Sequence, residues 1–120
     1  MKYTLSFLIV FLLLTSCNSK HKQNYREPPD VSTMNDGGAE PLTITNPRYP
    51  RHAAMNNVEG WVFLEFDLDE NGHPTNLRVL DSSPGDIFVK GASDAIVKWT
   101  FSKNNTQNKS QYLMEFRLAD

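Results

Sequence analysis

The sequence predicts an α+β domain, a two-layer sandwich in which a three-stranded antiparallel sheet carries two helices on one face. Three observations predict it. Residues 61–68, WVFLEFDL, and 111–118, QYLMEFRL, alternate side-chain character with the period of two that a half-buried strand requires. A second run, TNLRVLD at 75–81, follows the first across a short segment containing Asn71-Gly72, which makes the two a hairpin. Between the hairpin and the last strand, Phe88, Ala92, Ala95, Ile96 and Trp99 recur at helical spacing and form one apolar stripe.

Taken from the N-terminus, residues 1–16 place Lys2 ahead of an apolar run from Leu5 to Leu14, followed by small polar residues. That run is shorter than the roughly 20 residues a spanning helix needs, so it reads as a signal peptide. LTSC at 14–17 resembles a bacterial lipobox, in which Cys17 becomes the lipidated first residue of the mature chain. Cys17 is the only cysteine, so it has no disulfide partner. Residues 17–45 are poor in large apolar side chains and hold three prolines, which predicts a flexible tether. The folded domain is placed at 46–120. A short helix is expected within 46–57, with Pro50 suited to a first turn and Ala53, Ala54 and Met55 as helix formers.

In the first strand, Val62, Leu64, Phe66 and Leu68 face the core, while Trp61, Phe63, Glu65 and Asp67 face outward. Trp61 with Phe63 is therefore a candidate protein contact or dimer surface. The following DLDENGH, 67–73, begins like a calcium-binding EF-hand loop. Its twelfth position is Arg78, where that site needs a carboxylate, and its flanks are strands, so it is read as a hairpin turn with positive φ at Asn71 and Gly72. Ser83 and Pro84 suit a cap and first turn for the second helix. Gly91 within that helix implies close packing against the sheet or a tolerated defect. KNNTQNK at 103–109 is loop, and in the closing strand Tyr112, Met114, Phe116 and Leu118 share one face. About 70 residues make a thin core, for which a partner or a homodimer would add stability.

Charge narrows the function. The formal charge is −2, and removal of residues 1–16 with Lys2 takes it to −3, which gives no basic footing for nucleic acid. The folded part holds His52 and His73 but no serine or cysteine nucleophile recognisable beside a histidine and a carboxylate, so no enzyme, cofactor or metal site is expected. His21 sits between Lys20 and Lys22, which repel a cation.

Several segments, taken together, resemble one family. YPRHA at 49–53, EGWVFLEFDLDENGHPTNLRVLDSS at 59–83, FVKGASDAIVKWTF at 88–101 and MEFRL at 114–118 follow the order and spacing of the C-terminal domain of TonB. The resemblance implies protein binding: an extended TonB box-like peptide of an outer-membrane receptor, or another envelope protein, is added as a strand at the edge of the sheet. Carried over by position, the contacting strand is 111–118, with Gln111, Leu113, Glu115 and Arg117 facing away from the core to tune the partner. It also implies a location in the bacterial envelope, here a lipoprotein held to the membrane through Cys17 and facing the periplasm, and strand exchange as a route to a dimer. The chain departs from TonB proper in showing a lipobox and short tether where that protein has a spanning helix, which meets ExbB and ExbD, and a long proline-rich spacer. Two further readings stand beside this one: an energy transducer anchored by its N-terminal segment, and a structural envelope lipoprotein contacting peptidoglycan.

Overall fold

The computed structural model describes residues 25–33, 39–102 and 109–119. The expected signal peptide, Cys17 and the start of the tether lie outside them. In chain order the elements are a 3-10 turn Val31–Thr33, then β1 Pro41–Thr43, α1 Arg51–Met55, β2 Gly60–Leu68, β3 Pro74–Ser83, α2 Val89–Ile96, β4 Thr100–Phe101 and β5 Ser110–Phe116. The main sheet is antiparallel in the order β3-β2-β5, and α1 and α2 pack on it as the sequence predicts.

The period-two pattern of β2 decides the layering. Val62, Leu64 and Phe66 are fully buried and meet Ala53 of α1, Ala92 and Ile96 of α2, and Met114 and Phe116 of β5. Each large side chain so buried stabilises the fold by roughly 1.5–3 kcal/mol. An aromatic cluster closes one end: Phe88 stacks on Phe116 at 4.6 Å, and Tyr49 meets both edge-on at 5.4 and 5.9 Å. Burial holds the Tyr49 phenol above its ordinary pKa, with Glu59 adding to the effect, and its hydroxyl donates to the Val58 carbonyl.

Both helices are shorter than the sequence suggested. α1 begins directly after Pro50 and ends where Asn57 takes φ +53; Val58 N–H reaches back to the Ala53 carbonyl at 2.8 Å, a Schellman stop with asparagine in the left-handed position. α2 begins at Val89 because Pro84 and Gly85, with φ +51, build a turn between sheet and helix. Ser83 is therefore not its cap. It ends β3, and its hydroxyl accepts the Arg26 N–H at 2.7 Å. Past Ile96, the Lys98 and Trp99 amides bond the Ala95 and Ile96 carbonyls at 3.0 Å each, which keeps Trp99 on the buried stripe.

The segment read as tether contains structure. β1 pairs antiparallel with β4 as a second, two-stranded sheet. Ser102 N–H donates to the Glu40 carbonyl at 2.8 Å, Glu40 N–H to the Ser102 hydroxyl at 2.9 Å, and the Trp99 indole to the Thr45 carbonyl at 2.8 Å. This chain also explains Gly91: a Cβ there would lie 2.7 Å from the Arg48 carbonyl oxygen, so the glycine admits the strand-to-helix connection rather than the sheet.

Within DLDENGH the Asp69 carboxylate organises the turn, with one oxygen accepting the Asn71 and His73 amides at 2.9 Å each. Because that side chain supplies turn bonds, only Gly72 needs positive φ, at +78; Asn71, expected to share it, does not. The Gly72 carbonyl then accepts the Phe101 amide at 2.8 Å and joins the hairpin to β4.

Candidate functional site

The two edges of the main sheet differ. β3 pairs with β2 through two register shifts, between Phe63/Leu64 and Glu65/Asp67, and Asn76 takes φ +50. β5 pairs with β2 without a shift from Gly60↔Phe116 to Phe66↔Ser110. Bulges twist an edge away from further pairing, whereas a regular edge presents an even row of N–H and C=O groups. Among the described residues no strand pairs with the far side of β5. The strand stops at Phe116, two residues short of the predicted end, because the Leu118 amide is taken by the Glu59 carboxylate at 2.8 Å.

The outward residues of β5 fall into two groups. Gln111 is committed to the sheet: its amide donates to Glu65 at 3.0 Å, while Arg78 of β3 reaches the other Glu65 oxygen at 2.7 Å. Glu65 thus ties all three strands across the outer face. The Gln111 hydrogen bond, followed by Arg78, holds the Glu65 carboxyl below its ordinary pKa against the opposing effect of desolvation. Leu113 is half-buried opposite Phe63, which is half-buried too. Glu115 and the neighbouring Arg117 are exposed and pair with each other at 3.2 Å, an arrangement a charged partner could redirect.

Trp61 faces outward but is 1% exposed. What covers it is the segment around Arg26, from the stretch expected to be a tether. The Trp61 indole donates to the Arg26 carbonyl at 2.7 Å, and the Arg26 guanidinium forks the Asp81 carboxylate at 2.6 and 3.0 Å. That fork, together with the Ser82 amide, holds Asp81 below its ordinary pKa and raises that of Arg26. Sequence reading missed Arg26 and Asp81 and gave Ser83 the role of a helix cap; the one available signal was an outward tryptophan, whose large apolar face calls for a cover.

On the helix side, a cavity of about 540 Å³ lies between residues 45–50 and α2, with Arg48, Lys90 and Lys98 at its wall and Asp94 paired to Lys90 at 2.8 Å. Among the described residues no group of three histidine, cysteine or acidic side chains could hold a metal ion. At the β5 edge the structure presents a regular run of main-chain groups beside the exposed pair Glu115–Arg117.

Residues 45–118 match the family described as Gram-negative bacterial TonB protein C-terminal. The chain belongs to that family. Protein TonB of Yersinia enterocolitica is 38% identical over 73 residues, which span 61% of this chain and 28% of that protein. Protein TonB of Pseudomonas aeruginosa is 33% identical over 69 residues, 58% of this chain and 20% of that one. The TonB match thus covers well under half of these relatives' length. Among solved structures, the solution structure of the P. aeruginosa TonB C-terminal domain aligns with a TM-score of 0.58 at 27% identity, covering 74% of this chain and 98% of that one. The TonB2 protein of Vibrio anguillarum aligns with a TM-score of 0.56 at 29% identity, covering 79% and 95%. The TonB C-terminal fold therefore accounts for both the sheet and the helical layer.

Proposed function

We propose that this domain is a non-enzymatic binding module of the bacterial envelope, which takes an extended, TonB box-like peptide of an outer-membrane receptor as a fourth strand along β5. The observation that carries the reading is the unshifted β5 edge beside a bulged β3 edge. Main-chain hydrogen bonds would supply affinity, and Leu113, Glu115 and Arg117 would read alternate side chains of the guest. Gln111, engaged with Glu65, supports the strand more than it reads the partner.

The experiment is a calorimetric titration with a receptor N-terminal peptide and the same peptide carrying alternate N-methyl amides. Strand addition predicts that the methylated peptide loses at least tenfold in affinity, because its donors are removed while its side chains are kept. Equal affinity for the two peptides, or no binding by either, overturns the reading. We further propose that lipid on Cys17, following the LTSC motif, holds the module to the membrane on the periplasmic side. Metabolic palmitate labelling that persists in Cys17→Ser contradicts that anchor.

A further inference from the structure

The contacts of Arg26 serve no purpose in strand addition at β5, yet they are unusually complete for one residue. Its N–H donates to the Ser83 hydroxyl at 2.7 Å, and its carbonyl accepts the Trp61 indole N–H at 2.7 Å. Its guanidinium bonds both Asp81 oxygens, reaches the Ser82 carbonyl at 2.9 Å, and lies 5.7 Å from the centroid of the Trp61 ring. Main-chain donor, main-chain acceptor and side chain are all matched by β2 and β3. Ser83 and Trp61 are each 1% exposed under this cover. A lysine could not replace the arginine, since a point charge cannot fork a carboxylate, reach a carbonyl and lie flat against a ring together.

We propose that Trp61, Asp81, Ser82 and Ser83 form a binding site for an extended arginine-bearing segment, which the chain fills with its own residues 25–30 as a releasable latch. Release is built into the exposure of the ion pair: the Arg26 and Asp81 side chains are 59% and 45% accessible, so water and salt screen their attraction. Ordering the segment also costs conformational entropy that these ties must offset. The next strand tie along the chain is β1 at Pro41, fifteen residues on. Opening the latch therefore uncovers Trp61 and adds up to roughly 50 Å of extended chain to the leash. The segment's Tyr25 lies near enough to Arg117 to act on that charge, but the latch is read at Trp61 and stands whether or not β5 takes a peptide.

The test is hydrogen exchange at the two indole N–H groups of the mature full-length protein. Arg26→Ala is expected to speed exchange at Trp61 at least tenfold while Trp99, bonded to Thr45, stays unchanged. Asp81→Asn should give a smaller change in the same direction. A synthetic peptide of residues 24–30, NYREPPD, added to the Arg26→Ala protein should restore slow exchange at Trp61, and the same peptide with alanine for arginine should not. Its affinity for wild type should be at least tenfold weaker, since the tethered segment competes at millimolar effective concentration. Unchanged Trp61 exchange in Arg26→Ala, or restoration by neither peptide or by both, overturns the proposal.

Discussion

Alanine at Gly72 separates two costs that a glycine substitution usually mixes. A Cβ at Gly72 would lie 2.1 Å from the Phe101 carbonyl oxygen, on a backbone at φ +78; at Gly85, with φ +51, nothing stands within 4 Å. Both variants carry the left-handed strain of about 1 kcal/mol. Only at Gly72 must two backbones also move apart, stretching the 2.8 Å bond from the Phe101 amide to the Gly72 carbonyl, a loss of about 1 kcal/mol. Phe101 moves with it, and its ring contacts with Phe66 at 5.0 Å and Trp99 at 6.0 Å loosen, for about 1 kcal/mol more. Gly72→Ala should then cost about 3 kcal/mol and Gly85→Ala about 1, a difference that is a large share of the roughly 5 kcal/mol expected of so small a domain. Urea unfolding followed by tryptophan fluorescence reads both values under one condition. Costs agreeing within about 0.5 kcal/mol would refute the claim that the turn is pinned to β4.

Other outcomes follow from the core and the outer face. Ile96→Ala removes a fully buried side chain of the core and should cost about 3 kcal/mol, while Lys98→Ala, exposed past the end of α2, should stay within about 0.5 by the same urea assay. Glu65 and Asp81 both have depressed pKa values when folded, so they stabilise the protein above their unfolded values near 4. That contribution is lost as pH falls through the lower folded values, so the urea midpoint should decline below about pH 4 and decline less steeply in Glu65→Gln. An equal decline in Glu65→Gln and wild type would remove Glu65 from that account.

The parts of the fold that a reader of the sequence can see are those with a period. β2, β5 and the α2 stripe bury one face each, and burial writes itself into spacing; hence Val62, Leu64, Phe66, Ala92 and Ile96 are recognisable before any coordinates. What escaped detection depends on single long-range bonds. β1 is three residues long and has no alternation to show; it exists because Thr100 and Phe101 offer it an edge. The Arg26 contacts reach across 35 to 57 positions and rest on the main chain and side chain of one residue in a segment poor in large apolar side chains. Helix starts and stops were misplaced for a related reason: Ser83 has the chemistry of a cap, but the chain places it where β3 ends and gives it a different donor. For the candidate site, alternation identified which β5 residues face outward. It could not reveal that Gln111 is spent on Glu65, or that Trp61 already has a cover.

The central claim is that β5 accepts a guest strand through its main chain, and amide hydrogen exchange across residues 110–116 tests it most directly. With a receptor N-terminal peptide bound, every second amide of β5 should gain at least tenfold protection while the amides already paired to β2 change little. Protection that appears on β3 or α2 instead, or binding with no change along β5, would contradict it.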